Sequence, residues 1–199
     1  MSTDVRQLKK SLRQQVRAVL KELSPQERHS SSEQICLRLQ QQPIWERAGR
    51  VLLYAPLPDE PDIWPLVGRA LEAGKMVALP RYEPSSGQYA AGPVQRLGPD
   101  LAAGHHGIRE PPREWGTWPL NQLDLVLVPG VAFAADGRRL GRGRGYYDRL
   151  LSLVGGITCG VAFDQQMDDR IPAEPHDAYL DCILTPSRWL PCSPRAVLK

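Results

Sequence analysis

The sequence predicts a three-layer α/β protein, in which an open, mostly parallel β-sheet carries helices on both faces. Short apolar runs rich in Val, Leu, Ile and Ala recur along the chain, as expected of strands that are covered on both faces. Over residues 51–79 the predicted order is strand, helix, strand, which implies a parallel pair joined by a right-handed crossover. Because no linker or repeat divides the 199 residues, we expect one domain, residues 1–199.

The composition favours a globular protein that binds an anion locally. The chain is 42% hydrophobic and 24% charged, and no apolar run approaches the roughly 20 residues of a membrane helix. The polar N-terminus lacks the apolar region of a signal peptide, which predicts a cytoplasmic protein. A net charge of +3 is too small to indicate a nucleic-acid or membrane partner. The four cysteines are scattered, which favours reduced thiols over zinc or disulfides.

Helical periodicity marks the N-terminal part of the chain. Apolar residues at three- and four-residue steps over residues 5–23 predict one amphipathic helix. A basic stripe that includes Lys9, Arg13 and Arg17 lies beside its apolar face, and such i,i+4 like charges repel each other by a few tenths of a kcal/mol. The stripe is therefore either a solvated face or the neighbour of an anion. A capping box at residues 24–27 starts a second helix, which ends before Pro43.

A rigid acidic loop, residues 56–62, follows the first predicted strand at residues 51–55. Open α/β sheets bind ligands at the carboxyl ends of their strands. Asp59, Glu60 and Asp62 are therefore candidates to bind a ligand that is rich in hydrogen-bond donors. Asp62 is alternatively the cap of the next helix.

The remaining elements follow from the same signals. The adjacent His105 and His106 are predicted to be surface residues and not ligands. We predict a helix at 63–73, a strand at 76–79 that ends at residues 80–82, a short hairpin holding Tyr89 and Val94, a strand at 125–128, a helix at 147–154, and strands at 158–163 and 182–184.

The most informative stretch is a glycine- and arginine-rich segment between a strand and a helix, residues 137–145, here called the arginine loop. Glycines let backbone amides approach an anion, a helix start adds partial positive charge, and arginines match phosphate oxygens. Asp148 is placed to carry a divalent cation beside a phosphate. The spacing is neither a P-loop nor a dinucleotide fingerprint. A flexible segment that binds nucleic acid, or a merely solvated loop, stays open as an alternative.

The segment at residues 129–149, P-G-V-A-F-x-x-x-G-x-R-L-G-x-G-x-G-Y-Y-D-R, resembles the signature of the 5-formyltetrahydrofolate cyclo-ligase family. Further likenesses follow in order: a K-x-x-L-R-like start at residues 9–13, L-P-R-Y at 79–82, G-I-R-E-P at 107–111, and H-D-x-x-x-D at 176–181. The resemblance thus covers nearly the whole chain. It implies a fold like that of sugar-phosphate isomerases and CoA transferases.

The resemblance also implies a reaction, the ATP-dependent cyclisation of 5-formyltetrahydrofolate to 5,10-methenyltetrahydrofolate, with release of ADP and phosphate. The formyl oxygen attacks the γ-phosphate, and N10 captures the resulting iminium phosphate. ATP is then a co-substrate, Mg²⁺ the cofactor, and the folate, with or without a polyglutamate tail, the partner of a monomer. Two alternatives from other classes are a related sugar-phosphate isomerase or CoA transferase that does not use ATP, and an RNA-associated module whose affinity falls steeply with salt.

Roles carry over from the family residue by residue. Glu60 is expected to pair with the N–H donors of the pterin, Arg142, Arg144 and Tyr146 are expected to be catalytic, and Asp148 and Asp177 are expected to bind Mg²⁺. The expected ATP-binding residues are Lys9, Lys10, Arg13, Arg139, Leu140, Gly141, Arg142, Gly143, Arg144, Gly145, Tyr146 and Tyr147. The expected substrate-binding residues are Arg13, Ala55, Glu60, Arg81, Tyr82, Arg142, Gly143, Arg144, Gly145 and Tyr146.

Two positions depart from the family pattern. The family usually has Asp directly after the signature Phe133, whereas this chain has Ala134 there and Asp136 two residues later. This leaves open whether Asp136 braces the loop or supports a metal. Arg144 stands where Lys is common, so a planar fork of donors replaces a point charge.

Overall fold

A seven-stranded sheet forms the middle of the molecule. The computed structural model describes residues 2–98 and 101–193, with the side chains of residues 2, 3 and 106 left aside. The strands in chain order are β1 (Arg50–Leu52), β2 (Met76–Glu83), β3 (Gln88–Val94), β4 (Ala102–Ala103), β5 (Arg109–Glu110), β6 (Leu125–Val128), β7 (Ala132–Phe133), β8 (Arg139–Leu140), β9 (Ile157–Val161), β10 (Cys182–Leu184) and β11 (Trp189–Pro191).

The strand order in the main sheet is β11-β10-β9-β6-β1-β2-β3. The pairs from β10 to β2 are parallel, whereas the outer pairs, β10–β11 and β2–β3, are antiparallel. Two small ribbons, β4–β5 and β7–β8, stand apart from this sheet. The prediction of an open, mostly parallel α/β sheet is confirmed.

Helices cover both faces of the sheet. They are α1 (Ser2–Lys21), α2 (Pro25–Gln40), α3 (Pro43–Arg47), α4 (Trp64–Glu72) and α5 (Tyr146–Leu151). Strand β6 shows why two layers are needed, because its side chains alternate between the faces. Leu125 and Leu127 share a core with α2 and α4, whereas Val126 and Val128 share one with Leu150 of α5.

Helix α1 packs against the chain around the arginine loop and not against the main sheet cores. Its buried residues Leu12, Val16 and Leu20 form a cluster with Ala134 and Leu140, among others. Burying such a side chain fully stabilises the fold by about 1.5–3 kcal/mol. The predicted amphipathic helix is confirmed, and its apolar face fixes the position of the basic residues beside it.

The predicted capping box is present, whereas the N-cap of α4 is Ile63 and Asp62 supports the helix start from one residue earlier. Ser24 Oγ accepts a hydrogen bond from Glu27 N at 3.2 Å, and Glu27 Oε2 accepts one from Ser24 N at 2.8 Å, so the capping box starts α2. Asp62 Oδ1 accepts a hydrogen bond from Trp64 N at 2.9 Å, which satisfies an amide at the start of α4.

Several predicted boundaries were wrong. Strand β2 continues through residues 80–83 because β3 pairs with it along its whole length. Helix α5 stops at Leu151, three residues before the predicted end at residue 154, since the chain then turns into Gly156. A Cβ there would lie 2.1 Å from Leu123 O, so only glycine fits. The ladder of β1 ends at Leu52 and that of β9 at Val161. Helix α3, the β7–β8 ribbon and β11 were not predicted.

Two observations bear on the other expectations. Cys36, Cys159 and Cys182 are buried thiols, and Cys192 is a half-buried one. Within the described ranges, no helix combines the length and the apolar character that crossing a membrane requires.

Candidate active site

A cavity of about 280 Å³ opens at the carboxyl ends of the central strands. Tyr54 and Ala55 line it just after β1, Pro80 lines it within β2, and Pro129 and Gly130 line it just after β6. The arginine loop and the start of α5 close the other side. This is the edge at which open α/β sheets bind ligands.

The path of the arginine loop depends on its glycines. Gly143 and Gly145 have φ values of +99° and +66°, in the left-handed region that glycine adopts without strain. At Gly141 a Cβ would lie 2.8 Å from Arg139 Nη1, so a side chain there would require that guanidinium to shift. Because α5 has six residues, its N-terminus adds less positive charge than the predicted longer helix.

Arg139 is the buried cation of the loop. Its Nη2 lies 2.8 Å from Asp148 Oδ1 and its Nη1 lies 3.3 Å from Pro129 O, and the guanidinium sits 5.6 Å from the centre of the Tyr147 ring. Its Nε is buried and finds no hydrogen-bond acceptor in the part of the chain described. A buried donor without a partner costs about 1–3 kcal/mol, so this cavity wall favours a ligand with acceptor oxygens.

Arg142 is held by two carboxylates of the acidic loop that follows β1. Its Nη2 donates to Asp59 Oδ1 at 2.5 Å and to Glu60 Oε1 at 3.0 Å, and its Nε lies 3.2 Å from Glu60 Oε1. Glu60 is buried and its Oε2 accepts a hydrogen bond from Leu57 N at 3.0 Å. Burial raises the pKa of Glu60, although the Arg142 guanidinium opposes the shift.

Arg144 differs from both of these arginines. Its side chain is exposed and lines the cavity. Its backbone carbonyl accepts a hydrogen bond from Arg149, but its guanidinium makes no ion pair with any residue in the ranges 2–98 and 101–193. Arg144 therefore presents its full charge to the cavity.

An aromatic cluster, here called the aromatic wall, borders the cavity through Tyr89 and Tyr146, whereas Tyr82 and His105 contact those rings and do not line the cavity. Tyr82 stacks on His105 with centroids 3.8 Å apart and planes at 12°, and Tyr89 meets Tyr146 edge-on at 5.1 Å. His105 Nε2 lies 3.3 Å from Tyr146 Oη. The prediction that His105 is a surface residue was wrong, because it is half-buried in this cluster. The side chain of His106 lies outside the described part. Burial raises the pKa of Tyr147 well above its ordinary value, so its hydroxyl stays neutral.

Helix α1 contacts the arginine loop through Arg13, and neither Arg13 nor Lys9 lines the cavity. Lys9 is buried, and its Nζ lies 2.9 Å from Glu174 Oε2 and 2.6 Å from Asp177 Oδ2. One helical turn later, Arg13 Nε donates to Gly141 O at 2.8 Å. Burial, together with the charge of Arg17, lowers the pKa of Arg13. Lys9, Arg13, Glu174 and Asp177 are here called the α1 rim.

The structure places other predicted residues away from the cavity. Arg81 is buried, with Nε 2.9 Å from Glu83 Oε1 and Nη1 2.8 Å from Pro112 O, so it braces β2 and does not line the cavity. Lys10 is exposed on α1.

The two predicted metal ligands stand in different places. Asp148 lines the cavity and pairs with Arg139, whereas Asp177 pairs with Lys9 in the α1 rim. Asp177 joins Glu174 and His176 in a group whose ligand atoms lie within 4.8 Å of one another. Glu174 was missed, because a single Glu between two prolines carries no pattern.

The residues near Ala134 are structural. Ala134 is buried against α1, while Asp136 Oδ2 pairs with Arg138 Nε at 2.8 Å in the turn of the β7–β8 ribbon. Asp136 thus braces the loop. Asp181, the last residue of the H-D-x-x-x-D match, is buried and accepts hydrogen bonds from Thr158 N and Oγ1 at 3.0 and 2.9 Å, which ties β10 to β9.

The fold and the cavity define a small α/β enzyme whose site combines arginines for an anion, a buried carboxylate and an aromatic wall. Residues 5–186 match the model of the 5-formyltetrahydrofolate cyclo-ligase family. A 5-formyltetrahydrofolate cyclo-ligase of Mycolicibacterium smegmatis is 38% identical over 72% of this chain and 77% of its own length. One from Escherichia coli (strain K12) is 31% identical over 83% and 93%. The NMR structure of Aquifex aeolicus 5,10-methenyltetrahydrofolate synthetase has 34% identity and a TM-score of 0.84, covering 93% of each chain.

The chain belongs to the 5-formyltetrahydrofolate cyclo-ligase family, and it is a ligase of folate metabolism. Membership of this family implies an ATP-dependent reaction. The predictions of family, fold class and enzyme class are confirmed.

Proposed function

We propose that this chain converts 5-formyltetrahydrofolate and ATP into 5,10-methenyltetrahydrofolate, ADP and phosphate in the cavity described above. One observation carries the proposal: a single cavity brings together the aromatic Tyr89 and Tyr146, the buried carboxylate of Glu60, and the unpaired charge of Arg144. A pterin needs the first two features, and a transferring phosphoryl group needs the third.

The chemistry explains why the site holds arginines and no dedicated nucleophile. The formyl oxygen attacks the γ-phosphorus while the bond from that phosphorus to the bridging oxygen of ADP breaks. N10 then bonds to the activated carbon and loses its proton to solvent, and phosphate leaves with the former formyl oxygen. The protein has to align two substrates and neutralise the charge on the phosphoryl group. The arginine loop provides donors for both tasks.

The described contacts suggest where each substrate lies. Glu60 accepts the N–H donors of the pterin edge, while Ala55 lines the same cavity and Tyr146 packs on the ring. Arg144 and Arg139 face the transferring phosphoryl group. The α1 rim serves the remaining phosphates through Lys9 and Arg13. Tyr82 acts on the substrate through the aromatic wall, and Arg81 acts only by holding β2 in place.

Mg²⁺ fits the residues that the site contains. The ion prefers carboxylate oxygens together with substrate phosphates, and Asp148, at the cavity, and Asp177, in the α1 rim, offer such oxygens. Each carboxylate is paired with a side-chain cation, Arg139 and Lys9 respectively, so a bound metal would share or replace that partner. When bound, the metal would neutralise phosphate charge. The chain's own part is to orient the two carboxylates.

The proposal includes a cytoplasmic monomer that acts on 5-formyltetrahydrofolate, with or without a polyglutamate tail, and has no nucleic-acid or membrane partner. The small net charge of +3 supports the absence of a polyanionic partner. Light scattering of the purified protein tests the monomer, and a dimer mass would contradict it.

An absorbance assay tests the reaction. Purified protein with 5-formyltetrahydrofolate and MgATP should form methenyltetrahydrofolate, seen in the near ultraviolet, together with one ADP per turnover. No product from folded protein contradicts the proposal. Turnover without ATP would instead indicate a related isomerase or transferase, and an RNA affinity that falls steeply with salt would indicate a nucleic-acid module.

Two variants test the site. Arg142→Ala and Asp148→Ala should each lower kcat by about 100-fold, in line with the loss of one charge-stabilising group. Circular dichroism should show that both variants keep the fold, although Asp148→Ala also lowers stability because it leaves the buried Arg139 without its carboxylate partner. Full activity in both variants would contradict the assignment.

A further inference from the structure

The Arg142–Glu60 contact uses the same carboxylate that we assign to the pterin. Glu60 Oε1 accepts from both Nε and Nη2 of Arg142, at 3.2 and 3.0 Å. A carboxylate oxygen has two lone-pair sites, so Arg142 fills Oε1. The other oxygen, Oε2, accepts from Leu57 N at 3.0 Å. A ligand that donates two parallel hydrogen bonds therefore has to displace Arg142 before both Glu60 oxygens can accept from it.

The group that displaces Arg142 resembles it chemically. The pyrimidine edge of a pterin carries an amino group beside a ring N–H on one planar carbon, which is the arrangement of two neighbouring N–H groups in a guanidinium. A carboxylate binds either fork through two parallel hydrogen bonds. Arg142 and the pterin edge are thus alternative partners for Glu60.

Asp59 decides how firmly Arg142 is held. Its Oδ1 lies 2.5 Å from Arg142 Nη2, and its side chain is 38% exposed while that of Glu60 is 5% exposed. Asp59 is thus a second carboxylate partner of Arg142 and is more exposed than Glu60, so a ligand can reach and break the Asp59–Arg142 contact. A buried Glu60 must always have a donor partner, so Arg142 leaves as the pterin arrives.

Resting on the function proposed above, we infer that the pterin and Arg142 compete for Glu60. Asp59 is the positioning residue that holds Arg142 at the acidic loop while no folate is bound. When the folate binds, Arg142 leaves the two carboxylates and becomes available to the phosphoryl group of ATP. The two substrates then bind with positive coupling, because each favours the state in which Arg142 has left the carboxylates. Such coupling is reciprocal and typically amounts to 5- to 150-fold in affinity.

Binding measurements test the inference without turnover. Calorimetry measures the Kd of the Mg²⁺ complex of the β,γ-imido analogue of ATP in two conditions, without folate and with saturating 5-methyltetrahydrofolate. This folate lacks the formyl oxygen, so no reaction can occur. In the wild-type protein the folate should tighten analogue binding by about 10-fold. In Asp59→Asn the analogue alone should bind more tightly than in the wild type, and the coupling should shrink to about 2-fold.

Two further variants separate positioning from structure. Asp59→Glu keeps a carboxylate and should restore most of the coupling. Asp62→Asn removes a charge from the same loop. Asp62 accepts a hydrogen bond from Trp64 N at the start of α4 and makes none of the contacts with Arg142 that Asp59 and Glu60 make, so the coupling in this variant should equal that of the wild type. Thermal unfolding of all three variants should match the wild type within about 0.5 kcal/mol, as for surface substitutions.

The possible outcomes distinguish a failure of this inference from a failure of the proposed function. Wild-type coupling in Asp59→Asn, or no coupling in the wild-type protein, overturns the inference. If the wild type forms methenyltetrahydrofolate while Asp59→Asn keeps full coupling, the inference fails and the proposed function stands. If both ligands bind with coupling but no product forms from 5-formyltetrahydrofolate and ATP, the reaction fails while the competition for Glu60 stands.

Discussion

Two positive charges near the arginine loop, those of Lys9 and Arg144, are held in different ways. On the α1 rim, the ammonium of Lys9 is buried between Glu174 and Asp177. On the cavity side, Arg144 is exposed and has no ion-pair partner within the described ranges. A buried, paired charge is tied to the stability of the fold, because removing one partner leaves the other unsolvated. An unpaired charge at a cavity is free to act on a ligand. The comparison predicts that stability and catalysis respond to different variants.

The largest expected effect is on catalysis, at Arg144. Arg144→Ala should lower kcat for methenyltetrahydrofolate formation by about 100- to 1,000-fold, the usual loss when one donor to a developing charge is removed. The free energy of unfolding should change by less than about 0.5 kcal/mol, since the side chain is exposed.

Arg144→Lys is the matched control, and it restores the residue that is common in the family. It should keep more activity than Arg144→Ala, because a point charge remains while the planar fork is lost. An Arg144→Ala enzyme with wild-type kcat would remove Arg144 from the reaction.

The next effect is on stability, at Lys9. Lys9→Ala should lower the free energy of unfolding by about 2 kcal/mol, less than the 3–5 kcal/mol of a fully buried pair, because Glu174 and Asp177 are 24% and 16% exposed. Urea denaturation measures the change. Lys10→Ala removes the same charge from an exposed neighbour and should change stability by less than about 0.5 kcal/mol. Equal losses in the two variants would break the contrast between paired and exposed charge.

The sequence predicted the scaffold better than the contacts of the site. Apolar runs and helical periodicity located the main strands and α1, α2 and α4, because those patterns reflect burial on a sheet or helix face. The β7–β8 ribbon and β11 were missed, since two- and three-residue strands are too short to show alternation.

The site was predicted where a motif spans it and missed where distant loops meet. Lys9 and Asp177 are 168 positions apart, and no local pattern indicates that they touch, although family motifs mark both. Glu174 and His105 lie outside those motifs. Asp59 was predicted only as one acidic residue of a loop, because its contact with Arg142 depends on how the arginine loop folds over the cavity.

The smallest expected effect contrasts two carboxylates with opposite pKa shifts. Glu60 has its pKa raised above the ordinary 4.5 by burial, against the influence of Arg142. For Glu83, burial also acts to raise the pKa, but the hydrogen bonds from Arg81 and Arg113 outweigh it and lower the pKa below 4.5. A carboxyl group with a raised pKa contributes stability that is present below its unfolded value and lost as the pH rises through its folded value. A group with a lowered pKa contributes stability that is present above its unfolded value and lost as the pH falls.

Denaturation at several pH values between 3 and 7 should therefore show that Glu83→Gln destabilises more at neutral pH than in acid, whereas Glu60→Gln shows the reverse trend. Parallel trends in the two variants would mean that burial does not dominate at Glu60 and that its ion pair with Arg142 sets the direction of its pKa shift instead.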